Sequence, residues 1–258
     1  MVATTIAPVR SSTGYFYVWM AGLCTLIAFG GFAATYWLQL AAGTFVGQPI
    51  LHVHGLIFSA WPLLLLSQTI LAANGRMEHH RAWGVFGAAL ASAMVILGLT
   101  VAIRGLNVRL AAGEGDVARA FMLMPLGAIT IFAGLFIAAI LNVKRPEWHK
   151  RLILAATCGT LFAAAGRVGF LIGTHGGGPG MRPGTGPQPP FSTPAPDGLL
   201  LSLVLMIGVI YDWRTRGRPH PAYLIAIGVF LAHAFVGPII AHTPAWYAAM
   251  DALATLGR

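Results

Sequence analysis

The chain has 258 residues, of which 57% are hydrophobic and only 9% charged. Soluble domains run at roughly 45–50% and 25%. Sixteen Lys and Arg with seven Asp and Glu are too few charges to clothe a soluble globule of this length, and the same composition excludes a disordered chain and a collagen-like fibre. What is left is an all-α, polytopic transmembrane helical bundle, with a bacterial-type inner membrane as the simplest host.

A span needs roughly 20 apolar residues. Seven stretches qualify: Tyr15–Leu40, Ile50–Ala73, Ala82–Ile103, Ala120–Val143, Leu152–Thr174, Gly198–Trp213 and Ala222–Ala241. Together they form a single transmembrane domain over 1–258. The N-terminal stretch has one Arg and no cleavage-like site before a full-length apolar run, so no removable leader is expected.

Charge sets the orientation. Arg76 and Arg81 follow span two; Lys144, Arg145, Lys150 and Arg151 follow span four; Arg214, Arg216 and Arg218 follow span six. Short basic turns stay in the cytoplasm. Residues 1–14 are therefore expected inside as a tail, and the C-terminus outside. The +9 formal charge is explained by this topology, and no nucleic-acid partner is expected. The Gly- and Pro-rich stretch 175–197 cannot be helical and reads as an external loop, either a linker or a lid.

The basic turns resemble one another. Arg76-Met-Glu78-His79-His80-Arg81 and Arg145-Pro-Glu147-Trp148-His149-Lys150 share the pattern R-x-E-x-H-[R/K]. A third His, His220, follows at a similar interval of roughly 70 residues. Spans two–three, four–five and six–seven then read as three versions of one hairpin, with span one added. The turns serve as interfacial anchors, or as a metal or haem site of His79, His80, His149 and His220.

The H-R-x-x-G of His80 to Gly84 and the W-H-K-R-L of Trp148 to Leu152 resemble turns of poorly characterised bacterial multi-helix inner-membrane protein families, which are distantly similar to membrane di-haem b-type cytochromes. The resemblance covers two turns and the region of spans two to five. It implies a bundle that holds haem between helices through histidine. The regular mid-helix histidine pairs of those cytochromes are missing here.

No Asp or Glu falls well inside an expected span, which argues against a carboxylate proton relay or a carboxylate di-iron site. Cys24 and Cys158 lie in separate apolar runs, outside any CxxC pair, and read as small buried residues. The remaining ionisable groups gather toward the outer half: His52, His54, Arg167, His175, His233 and His242. Arg167 costs at least ~2.5 kcal/mol in lipid unless it snorkels or is partnered. It snorkels outward, donates hydrogen bonds within the bundle, or holds an anionic group such as a haem propionate or a lipid phosphate.

On a regular helix His52 and His54 point about 200° apart; on an extended entry they share a side. His52, His54, His175 and His242 are the candidate metal ligands, and Arg167 and His233 the candidate cofactor-binding residues. The expected cofactor is haem b or a transition metal ion, used in membrane electron transfer or oxidation. The alternatives are a non-catalytic accessory or assembly subunit of a membrane complex, and a small-molecule transporter. The expected partners are the lipid bilayer and either a membrane protein or a second copy of the chain.

Overall fold

The computed structural model describes residues 12–173 and 196–257, and all regular structure among them is helical. The elements are α1 (Ser12–Gly31), a π-helical segment (Ala33–Trp37), α2 (Leu38–Ala41), α3 (Ile50–Ala73), α4 (Met77–Ala111), α5 (Gly115–Phe121) and α6 (Leu123–Leu141). They continue with α7 (Pro146–Thr160), α8 (Phe162–Gly173), α9 (Pro196–Arg216), α10 (Pro221–Phe235), α11 (Gly237–Ala241) and α12 (Pro244–Thr255).

Five helical segments are long and apolar enough to cross a membrane: Ile50–Ala73, Met77–Ala111, Gly115–Leu141, Asp197–Arg216 and Pro221–Ala241. Two bent pairs make seven if each crosses as one: Tyr15–Gly31 with Ala33–Ala41, bent by 44°, and Pro146–Thr160 with Phe162–Val168, bent by 52°. The chain is thus a polytopic helical bundle, as composition requires. Its first and fifth expected spans are broken where an unbroken helix was expected.

Each break has a local cause. At Phe32 one carbonyl accepts from both Tyr36 N (2.9 Å) and Trp37 N (3.2 Å), so the ladder widens into the π-segment. At Leu161 the ladder tightens, with Leu161 N on the Cys158 carbonyl at 3.0 Å, while the Thr160 hydroxyl takes the Thr157 carbonyl at 2.7 Å. Side chains that enter the backbone ladder in this way bend helices.

Three antiparallel hairpins, α3–α4, α6–α7 and α9–α10, carry their basic turns at one end of the bundle. In the first two, an Asn closes the incoming helix. The Asn74 amide donates to the Ile70 carbonyl and the Asn142 amide to the Ala138 carbonyl, both at 2.8 Å. The repeated His then ties the outgoing helix back to the incoming one. His80 Nδ1 donates to the Gln68 carbonyl (3.3 Å) and His149 Nδ1 to the Ala139 carbonyl (2.9 Å). A carbonyl only accepts, so both rings carry their proton on Nδ1 in these contacts. The third turn differs: His220 precedes α10, and its Nδ1 accepts from Ala222 N at 3.2 Å as a cap.

The main core is apolar and α7 lies at its centre, against α1, α6, α9 and α10. Cys24 of α1 and Cys158 of α7 meet there, fully buried, with Sγ atoms 4.0 Å apart. After the last expected span the chain adds α12, which packs on α4 and α5. Asn107 Nδ2 donates to the Ala254 carbonyl (3.0 Å) and Trp246 Nε1 to the Arg119 carbonyl (2.8 Å), and Arg119 pairs with Asp251 (2.8 Å).

Candidate functional site

The two breaks meet each other. Gly31, the last residue of α1, lies so close to α8 that a Cβ placed on it would fall 2.5 Å from the Ala164 carbonyl oxygen. Just past this contact, Phe32 and Arg167 come together. The Arg167 guanidinium stacks over the Phe32 ring at 4.3 Å and donates to the Ala163 carbonyl at 2.9 Å. Ala163 precedes Arg167 by a turn, so the side chain folds back along α8, away from the end at which α8 finishes. No carboxylate pairs with it among the described residues.

His54 of α3 is within electrostatic reach of Arg167. Its ring stacks on Phe58, centroids 4.1 Å apart, and its Nδ1 is buried without a hydrogen-bond partner. Thr35, in the π-segment, is also buried, and its hydroxyl has no partner either. Unpartnered polar atoms in a membrane interior are costly. Two such atoms are buried here, one on α3 and one in the π-segment, in a bundle that also holds a guanidinium with no carboxylate partner among the described residues. Broken helices and π-segments recur at ligand sites for this reason: they place polar groups in an otherwise apolar bundle.

The other expected site residues lie elsewhere. α3 is helical from Ile50, so His52 and His54 diverge. His52 Nδ1 lies 3.0 Å from Tyr36 Oη, and its ring packs on Phe45. His233 is on the α10 side of α8, edge-on to Phe162 at 5.0 Å, and packs so tightly on α6 that a Cβ on Gly127 would overlap its ring. Its Nε2 is buried without a partner. His242 Nδ1 lies 3.2 Å from Tyr247 Oη. His175 and the rest of 174–195 lie outside the described residues. Among the described residues, no three of His, Cys, Asp and Glu gather into a group that could hold a metal ion.

A second polar network lies at the basic end. Arg151 of α7 makes two hydrogen bonds to the Asp212 carboxylate of α9: Nε to Oδ2 at 2.8 Å, and Nη2 to Oδ1. Glu147 accepts from Lys150 (2.6 Å), Arg151 (2.7 Å) and Arg216 (2.5 Å). Tyr17 and Tyr223 flank the arginine with buried hydroxyls, and His220 packs on Trp148. Arg151 and Asp212 are both withdrawn from solvent. With three cations hydrogen-bonded to two carboxylates, this network holds α7, α9 and α10 together. The sequence signal for it was the i, i+4 spacing of Glu147 and Arg151.

No protein family, curated protein or solved structure matches this chain.

Proposed function

We propose that this multi-pass membrane protein holds an anionic redox cofactor, with haem b the best match, where its two broken spans cross, and that it serves membrane electron transfer or oxidation. The observation that supports this is Arg167: a guanidinium inside an apolar bundle, folded back along α8, without a carboxylate among the described residues, and within electrostatic reach of His54, whose Nδ1 has no partner.

In this reading Arg167 binds a carboxylate of the cofactor, as a guanidinium does well in a low dielectric. His54 supplies a neutral imidazole nitrogen, and the Thr35 hydroxyl a further hydrogen bond. His233, whose buried Nε2 also lacks a partner, lies across α8 from this site, on α10 against α6, and would serve a separate group. When bound, haem supplies one-electron chemistry through its iron. The protein residues position it and keep water out. A bare transition metal ion is less well served, because His52 turns away toward Tyr36 and no three donors gather among the described residues. By the positive-inside rule the basic end faces the cytoplasm of a bacterial-type inner membrane, and the site lies in the outer half.

The test is haem reconstitution of the full chain in detergent, followed by absorption spectroscopy. A Soret band is expected at about one haem per chain, lost in His54→Ala, weakened in Arg167→Gln and partly kept in Arg167→Lys. A chain that stays colourless, or a band indifferent to His54→Ala and Arg167→Gln, overturns the proposal.

A further inference from the structure

A separate feature lies at the basic end, on the lipid side of the α3–α4 hairpin. Two concavities of about 450 Å³ and about 540 Å³ adjoin there and share Ile70 and Leu71. The larger is apolar and runs up α3 past Leu63 and Leu64, with Trp83 of α4 on its wall. The smaller ends at Asn74 and Arg76 in the turn. From Leu63 to Asn74 the helix rises about 16 Å, close to the depth of one leaflet of a bilayer core about 30 Å thick.

The groove's polar groups are distributed unevenly. The Ser67 hydroxyl is turned inward to the Leu64 carbonyl, at 2.7 Å, and the Asn74 amide is used on Ile70. That leaves the long wall apolar. At its end, Arg76 and Arg81 form no ion pair among the described residues, and the same turn carries one carboxylate, Glu78. The Arg and Glu residues of the turn therefore sum to one net positive charge. In the equivalent turn of the second hairpin Glu147 engages Lys150, Arg151 and Arg216, and Lys144 and Arg145 form no ion pair among the described residues, but neither concavity reaches them. Trp83 is half exposed, as suits an aromatic side chain at the headgroup level.

We propose that this groove is a binding site for an anionic phospholipid, with one acyl chain along Leu63, Leu64 and Leu71 and the phosphate on Arg76. A single-leaflet apolar trench capped by an unneutralised guanidinium has the shape and the charge order of such a lipid. A zwitterionic headgroup brings its own cation to a turn that is already positive and gains less.

The experiment is fluorescence quenching in vesicles holding the full chain and brominated phosphatidylglycerol or brominated phosphatidylcholine. The contribution of Trp83 is obtained by difference against Trp83→Phe. Quenching of Trp83 by the anionic lipid is expected to show about fivefold tighter association than by the zwitterionic one. Arg76→Gln is expected to remove that preference and Arg145→Gln to leave it intact. Arg76 is exposed, so its replacement does not unfold the bundle. Equal quenching by both lipids, a preference that survives Arg76→Gln, or one that Arg145→Gln abolishes equally, overturns the site.

Discussion

Arg151 and Asp212 stand 61 residues apart in the chain and close a two-bond ion pair inside the bundle. Neither is open to solvent. Such a pair is poor evidence of net stability, because both charges were desolvated to form it. It is good evidence that losing one partner is costly. Asp212→Asn or Asp212→Ala is expected to destabilise the protein by about 3–5 kcal/mol. The double replacement Arg151→Met with Asp212→Leu is expected to cost less than either charge deletion alone. Thermal unfolding in mild detergent measures both. A harmless Asp212→Ala contradicts the buried pair.

The α1–α8 crossing is tested by two neighbouring glycines. Gly31→Ala drives a methyl group into Ala164 and is expected to cost about 1–3 kcal/mol. It also disturbs Arg167, one turn further along α8. Gly30 has open space around its Cβ position, so Gly30→Ala is expected to be neutral or to stabilise by up to about 1 kcal/mol through helix propensity. Equal melting temperatures for the two variants contradict the close approach.

The two cysteines test the placement of α1 on α7. Their Sγ atoms are 4.0 Å apart, within reach of a small inward movement to disulfide length. A membrane-permeant oxidant is expected to join them, so that fragments cut between the two helices stay linked until reduced. Neither Cys24→Ala nor Cys158→Ala is expected to show the link. Failure of the native chain to cross-link under oxidation contradicts the contact.

His220 gives a pH dependence. Burial is the first cause that pushes its imidazole below the ordinary value of 6.5, and the Arg151 charge adds to it. The neutral ring accepts the Ala222 N–H, and protonation removes that acceptor. Because the folded value lies below the unfolded one, the ring's contribution is fully present above about pH 6.5 and is lost as pH falls through the folded value. His220→Asn keeps a cap without the titration. Between about pH 7.5 and about pH 5 the native protein is expected to lose more melting temperature than His220→Asn. Parallel loss in the two proteins excludes the effect.

The seven apolar stretches were legible because span length depends on composition alone. The breaks in the first and fifth were not, because they depend on which hydroxyl or carbonyl captures a ladder bond, as Thr160 and Phe32 do. The R-x-E-x-H repeat was visible as a pattern. Its physical meaning, a His that ties one helix to the preceding carbonyl row, depends on how the two helices pack and is not written in the spacing. That Arg167 lies within the bundle was one of the readings its apolar surroundings allowed; its contacts with Phe32 and the Ala163 carbonyl were beyond a linear reading. Asp212 was placed at a span end because that end was set at Trp213. The helix continues to Arg216, and Asp212 is enclosed by Arg151 and by the His220 amide that approaches it at 3.3 Å.

The length of α4 has a consequence of its own. Its 35 residues reach about 52 Å, well beyond a hydrocarbon layer of about 30 Å. Even when steeply inclined, such a rod leaves a stub among headgroups and water. Leu106 is on that stub, in a miniature core with Met122, Met250 and Ala254. The protein therefore carries a small second core beyond the main one, clasped by α12 and continuous with α4 through Leu106.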